Sequence, residues 1–384
     1  MKRTGSHGRN PFDSNRHDFK RSKSRPESSV SSSSTAAGVQ TFDVECFIQN
    51  RKTSQGGAGL RKVTLDMPVE VGCLSRNADK SWTVDSREHF AAFSLPKLPV
   101  DLNSGFREFD QTYVDIGPES LELLLKSVKS LRDGDKYKPQ IVTWRGALRK
   151  IMTTPYLQRE TYRLGVWKKN NVVYIQTRQD PDKEEFHDMK ERFKRFMYYG
   201  YKFEEVCTRQ REEVEKQPDP NCCFNATFKS KLGNMRILYG GEVDCYDPEN
   251  REYIELKVQR LLENDRHIYN FERFKLLKHY CQSFLALTTS VVVGFRDDHG
   301  MLRKIQKFQT LKIPGMIKGR KDKLWCAKTC LAFLEEVLAW LLENVPEQAD
   351  DDDILEYHFN GSEITLKKSK PMSYEKISEY LYWP

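Results

Sequence analysis

Two short runs carry residues whose types and spacing suit hydrolytic chemistry: GEVDC at Gly241–Cys245 and IELK at Ile254–Lys257. Both read as strands, and Asp and Glu are depleted in strands. Alternate residues of a strand share a face, so Glu242 groups with Asp244 and Glu255 with Lys257. Val243 and Leu256 then point to the opposite, apolar side. Paired as neighbours through the turn-rich YDPENR, Tyr246–Arg251, the two runs would gather three carboxylates beside one ammonium. Two like charges about 4 Å apart repel by roughly 4 kcal/mol even at an effective dielectric near 20. Divalent ions remove that cost, and hard oxygen donors select Mg²⁺ or Mn²⁺ over zinc. The Leu256 carbonyl offers one more oxygen. The bland alternative is a charged hairpin facing solvent.

Ten residues separate Asp244 from the Glu255-x-Lys257 triplet, a spacing that looks like that of PD-(D/E)xK nucleases. A helical pattern spans Lys183 to about Cys207. With Phe193 as zero and about 100° per residue, Phe186, Met189, Phe196, Met197 and Gly200 form an apolar stripe within about 60°. Glu204 falls at about 20°, inside that stripe. A carboxylate on a buried face needs a partner charge or a metal, which makes Glu204 a fourth candidate ligand if the helix continues past Gly200. The next helix offers Lys275, Lys278 and Gln282 on one flank, fit for phosphates or equally for a solvated face. In VTWRG, Val142–Gly146, Arg145 follows Trp144 and precedes Gly146: a guanidinium for bidentate phosphate binding, and a glycine permitting close backbone approach.

The elements that must position these residues alternate along the chain. Helices are predicted over Pro118–Leu131, with Pro at the first turn, over Asn270–Leu287 and over Leu324–Asn344. Strands are predicted over Asn171–Arg178, Phe224–Lys229, Arg236–Cys245, Glu252–Val258 and Ser290–Phe295. Together they imply one large mixed-sheet α/β domain over 41–384. Its 384 residues, 38% hydrophobic and 31% charged, suffice for a sizeable core. No apolar run of membrane-spanning length occurs, and MKRTGSHGRN lacks a secretory h-region. Nine scattered cysteines suit a reducing compartment. Cys222–Cys223 and Cys326 with Cys330 lack matching His/Cys partners for zinc. Of the net charge of +8, five units belong to residues 1–40, a Ser- and Lys/Arg-rich stretch expected to be disordered. Within it, KRSKSR at Lys20–Arg25 reads as a nuclear-import patch or a plain solvated tail. The folded body alone is barely basic.

Taken together, TWRG (Thr143–Gly146), TTPY (Thr153–Tyr156), GYKFE (Gly200–Glu204), GEVD (Gly241–Asp244), ELK (Glu255–Lys257) and KLLKHYCQSFL (Lys275–Leu285) resemble, in order and spacing, the DXO family of RNA 5′-end quality-control nucleases. The likeness covers about Val71 to Asn344 and has no counterpart for 1–40. It implies two packed β-sheets surrounded by helices, with the active site in the cleft between them. It implies two divalent ions, Mg²⁺ or Mn²⁺, held by Glu204, Glu242, Asp244, Glu255 and the Leu256 carbonyl. Glu242, Asp244, Glu255, Lys257 and Gln282 become the catalytic set. Trp144, Arg145 and Gly146, with Lys257 and Gln282, become the substrate-binding set, and Lys80 and Glu119 fall near positions that touch RNA in the family. Vertebrate-type members carry Cys where Asn225 stands here.

The implied activity is metal-dependent hydrolysis at RNA 5′ ends bearing triphosphate, incomplete caps or NAD-type caps, with 5′-to-3′ exoribonuclease activity. The implied setting is the nucleus, with the cytoplasm as a second setting, for a monomer without a membrane. Two other readings stay open: a DNA nuclease of the same class, and a scaffold for a nuclear 5′-to-3′ exoribonuclease.

Overall fold

The computed structural model describes residues 39–53, 63–129, 131, 137–208, 217–317, 324–350 and 353–384. Among these, the strands are β1 (Gln40–Asp43), β2 (Val69–Arg76), β3 (Trp82–Val84), β4 (Val100–Asp101), β5 (Ile141–Trp144), β6 (Tyr162–Lys169), β7 (Val172–Thr177) and β8 (Cys223–Leu232). They continue with β9 (Met235–Glu242), β10 (Cys245–Tyr246), β11 (Tyr253–Arg260), β12 (Thr288–Arg296), β13 (Met301–Gln309), β14 (Ile354–Phe359) and β15 (Glu363–Ser369). A ten-stranded sheet runs β1-β15-β14-β6-β7-β5-β9-β8-β2-β3, and a five-stranded sheet runs β10-β11-β12-β13-β4. All of these strands lie in one compact unit, Ser34–Pro384.

Each sheet has a parallel centre where the sequence is most continuously apolar. IVTW of β5 is buried at every position and pairs in parallel with β7 and β9, as strands covered on both faces do. In the small sheet β11 pairs in parallel with β12. Parallel neighbours need a crossover, supplied by α-helix Asp265–Asn270, a π turn at Phe271–Lys275 and α-helix Leu276–Phe284. That last helix buries Leu276, Leu277, Tyr280 and Cys281 and leaves Gln282 on its flank.

Three apolar clusters hold the layers together. The largest contains Val243, Leu277, Val291 and the helix Ala327–Asn344. A second packs Trp144, Trp167 and Tyr174 against the C-terminal Ile377, Leu381 and Trp383. The third joins Ile254, Leu256 and Val292 of the small sheet to Tyr198, Phe203 and Val206 of the helix Glu191–Thr208. Buried Arg178 ties the C-terminal segment down, with Nε at 2.7 Å and Nη2 at 2.8 Å from the two carboxylate oxygens of Glu375.

Several predicted elements shift. The helix expected over Pro118–Leu131 is cut to Leu121–Lys126, because Ser120 caps it by accepting the Glu122 N–H; Pro118 precedes the cap. The helix expected from Lys183 starts at Glu191, since Met189 is extended after a separate 3-10 turn at Phe186–Asp188. The strand expected over Arg236–Cys245 splits, with β9 ending at Glu242 and Asp244 outside both flanking strands. Of the tail expected over 1–40, residues 1–38 lie outside the described residues.

Candidate functional site

The site lies where the carboxyl ends of β5 and β9 meet the small sheet, the crevice position open α/β sheets use for ligands. β5 runs without a break into helix Arg145–Thr153, whose N-cap Trp144 makes no side-chain cap bond. The first-turn N–H groups at Gly146 therefore open onto the cleft, and no neighbouring atom stands within 4 Å of where a Gly146 side chain would begin. On β9 two glycines make room for the partners: a Cβ at Gly240 would sit 2.5 Å from the Trp144 ring, and one at Gly241 would sit 2.8 Å from Arg145 Nε. Trp144 is consequently a wall residue, 8% exposed.

The chain leaves the large sheet at Glu242, buries Val243 in the main core and enters the small sheet at β10. The expected pairing of GEVDC with IELK is thus confined to Cys245↔Ile254 and Tyr246↔Tyr253. Convergence is achieved nonetheless, by carboxylates drawn from both sheets. Asp244 Oδ2 accepts the Leu256 N–H at 2.6 Å and stands 3.5 Å from Lys257 Nζ. Lys257 donates to the Leu256 carbonyl at 2.8 Å and pairs with Glu255. Glu255, 1% exposed, also receives Gln282 Nε2 on Oε1 and faces Arg145 Nη1 at 3.7 Å through Oε2.

Glu204 reaches the same carboxylates from the helix Glu191–Thr208, which continues past Gly200 as required. The reason differs from the predicted one. The buried face of that helix carries Tyr198, Tyr199, Lys202, Phe203, Val206 and Cys207, whereas Phe193 and Phe196 are 47% and 40% exposed. Glu204 lies off the buried face, half-buried at the cleft wall.

Crowding shapes the electrostatics. Burial, then Asp244 and Glu242, push the Glu204 carboxyl far above the usual carboxylate range. Burial and the Glu255 charge push Asp244 up to about 7. Glu242 stands at the mouth of the cleft, and the dense walls with Glu119 push it up as well. Burial works against the Glu255 charge too, but Lys257 and Arg145 prevail and hold it below its ordinary value. Burial likewise opposes the Lys257 charge, while Asp244 and Glu255 keep its pKa above that of a free lysine.

Four hard carboxylates and the Leu256 carbonyl are a donor set fit for Mg²⁺ or Mn²⁺, and their mutual repulsion is what a divalent ion relieves. Lys257 and Gln282 both contact Glu255 Oε1, and among the described residues no three His, Cys, Asp or Glu gather into a preformed shell.

Glu242 lies between two cavities. One, of about 400 Å³, is lined by Trp144, Arg145, Gly146, Gln282 and Glu119. The other, of about 480 Å³, is lined by Glu204, Asp244 and His89 among others. Glu119 pairs with Arg76 at 2.7 Å. Asn225 faces Glu242 across the β8–β9 ladder. Lys80 sits in the exposed turn between β2 and β3, with φ 67°, and lines neither cavity. Lys275 ends the π turn, and Lys278 pairs with Glu160 at 2.6 Å. Sequence reasoning missed Arg149 and Gln176, which also line the first cavity. Arg149 had a readable signal, one helical turn after Arg145; Gln176, brought in by β7, had none.

The family model described as RAI1 like PD-(D/E)XK nuclease matches residues 66–381. The decapping nuclease RAI1 of Aspergillus fumigatus is 31% identical over 310 residues, covering 74% of this chain and 84% of that protein. The decapping and exoribonuclease protein of Bos taurus is 29% identical over 327 residues, covering 79% and 81%. The crystal structure of Candida albicans Rai1 in complex with pU5-Mn²⁺ superposes with a TM-score of 0.68 at 23% identity, covering 81% of this chain and 90% of that one. The two-sheet fold, the carboxylate cleft and the span of the match agree: the chain belongs to the RAI1-like PD-(D/E)XK nuclease family.

Proposed function

We propose that this protein is a divalent-metal-dependent hydrolase of RNA 5′ ends, removing non-canonical caps or terminal phosphates and acting as a 5′-to-3′ exoribonuclease. The observation that carries the reading is buried Glu255, held by Lys257, Gln282 and Arg145 where the 400 Å³ cavity meets the carboxylate cluster. The names of the fungal and bovine relatives and the pU5-Mn²⁺ ligand of the Candida protein support it.

The 400 Å³ cavity falls within the 300–1,000 Å³ range of small-molecule sites and suits a terminal nucleotide. Arg145 and the open helix N-terminus at Gly146 bind phosphate there. Glu204, Glu242, Asp244, Glu255 and the Leu256 carbonyl would hold Mg²⁺ or Mn²⁺, which would supply Lewis acidity and a nucleophilic water near neutral pH. Lys257 places a permanent charge beside the reacting phosphoryl oxygens. Gln282 fixes the Glu255 carboxylate and offers its amide to the substrate. Phosphate and sugar contacts carry little base information, so selection acts on the 5′ end and the 2′-hydroxyls.

KRSKSR in the N-terminal tail is the feature that supports nuclear action, and an exoribonuclease partner would receive the processed 5′ end. The test offers purified protein with Mg²⁺ or Mn²⁺ three RNAs of one sequence, triphosphorylated, capped and NAD-ended, beside a 5′-phosphorylated DNA. Release of cap-derived or phosphate products from RNA supports the reading. Preferential cutting of DNA, or no product from any RNA, overturns it.

A further inference from the structure

Beyond Arg145 the helix Arg145–Thr153 carries two more cations for which the reading above has no task. Arg149 lines the 400 Å³ cavity and also a second, smaller cavity of about 110 Å³, shared with Lys150, Thr153, Thr154, Glu160 and Lys278. A space of that size is roomy enough for several waters and well below the 300–1,000 Å³ of whole-ligand sites. That is room for a phosphoryl group and too little for a nucleoside.

Its charge is unbalanced. The Arg149 guanidinium is half-buried and makes no hydrogen bond and no ion pair among the described residues. The Lys150 ammonium has no ion pair either, and lies 5.7 Å from the Tyr162 ring centre. Lys278 is the one cation of the three with a partner, Glu160 at 2.6 Å. Burial and the neighbouring Arg145 charge lower the pKa of Arg149, and burial and Arg149 lower that of Lys150. A guanidinium partly withdrawn from water gains from a charge-assisted partner. With Arg145 there are three cations on the helix Arg145–Thr153, and the one acid lining the small cavity, Glu160, is already paired with Lys278, so the place is one that an anion stabilises.

We infer that Arg149 and Lys150, joined by Lys278 released from Glu160, form a phosphoryl subsite for a 5′-polyphosphate end whose terminal nucleotide occupies the larger cavity. This rests on the RNA 5′-end reading. Arg149 is a specificity residue in this arrangement: it separates triphosphate from monophosphate ends and lies outside the metal cluster.

The test uses the full chain and 3′-fluorescein RNAs of one sequence carrying a 5′-hydroxyl, monophosphate or triphosphate. Equilibrium binding is measured by anisotropy in EDTA, and kcat/KM in Mn²⁺. One charge-assisted contact corresponds to about tenfold in affinity, so the parent binds triphosphate RNA about tenfold tighter than monophosphate RNA. Arg149→Gln removes most of that preference and Arg149→Lys keeps part of it, with melting temperatures near the parent's. Equal weakening on all three ends, or no triphosphate preference in the parent, overturns the subsite. So does inorganic triphosphate that binds the parent without competing with triphosphate RNA, which marks a free-anion site. If the parent hydrolyses none of the RNAs, the 5′-end reading itself fails; if it hydrolyses them and Arg149→Gln leaves the preference intact, only the subsite does.

Discussion

Lys257 Nζ stands 3.5 Å from Asp244 Oδ2 while pairing with Glu255 on its own strand. One side chain therefore neutralises acids from two places in the chain, the inter-sheet crossing and the small sheet. Its ammonium is a resident cation among the carboxylates proposed to hold the divalent ions, and it remains charged throughout the physiological pH range.

Lys257→Ala is expected to lower kcat by about 10²–10³, the usual loss on removing one group that stabilises transition-state charge. RNA affinity measured in EDTA should change far less. Single-turnover rates compared with equilibrium binding separate the two effects; a loss confined to binding would remove Lys257 from the chemistry.

Asp244→Ala and Glu255→Ala are expected to abolish hydrolysis and leave RNA binding largely intact, because phosphate contacts come from Arg145 and the adjoining helix. Turnover equal to the parent's in either variant would contradict the metal assignment.

Metal stabilisation should grow with pH. Asp244 titrates near 7 without metal, and Glu204 and Glu242 lie above their ordinary values. Raised carboxyls favour the metal-free fold at low pH, and that contribution is lost as pH rises from about 4 through about 7. Ion binding needs the deprotonated forms. The rise in melting temperature on adding Mg²⁺ or Mn²⁺ should be small at pH 5.5 and several degrees at pH 8 when the ion is well above its Kd. A shift that shrinks with pH would refute the carboxylate cluster as the binding site.

Gly241→Ala places a methyl 2.8 Å from Arg145 Nε and should push that guanidinium away from Glu255. Hydrolysis should fall at least about tenfold, with KM for RNA rising as one charge-assisted contact is lost. Unchanged KM would mean Arg145 does not hold substrate.

Arg178 and Glu375 should behave as a purely structural pair. Glu375→Ala removes the bidentate partner of buried Arg178 and leaves it Glu356 at 3.3 Å, so the expected cost is about 1.5–3 kcal/mol, visible as a lower denaturation midpoint, while the folded protein keeps its kcat.

The chemistry was legible because motif residues sit close together in sequence: Glu242 near Asp244, Glu255 near Lys257, Trp144 and Arg145 before Gly146. Buried strands such as SVVVGF were legible from their apolar runs. The sheet partners were not. That β9 pairs in parallel with β5, and that Asp244 stands between two sheets rather than in a hairpin, depend on contacts between distant segments. Glu204 shows how a helical stripe misleads: Phe193 and Phe196 suggested the buried face, yet Tyr199, Phe203 and Val206 form it. Aromatic residues can stay exposed while holding cations, as Phe196 does with Arg192 and Arg296, and periodicity alone does not distinguish such a face from a core.

The placement of Glu242 at the carboxyl end of a central strand of one sheet and Glu255 inside the other also bears on biogenesis. During synthesis, β11 stays without its parallel neighbour until β12 has left the ribosome, so the acidic pocket closes only after most of the chain has emerged. A truncated product ending before Thr288 would carry the carboxylate motifs without the framework that aligns them, and cellular transcripts would be spared an unregulated fragment.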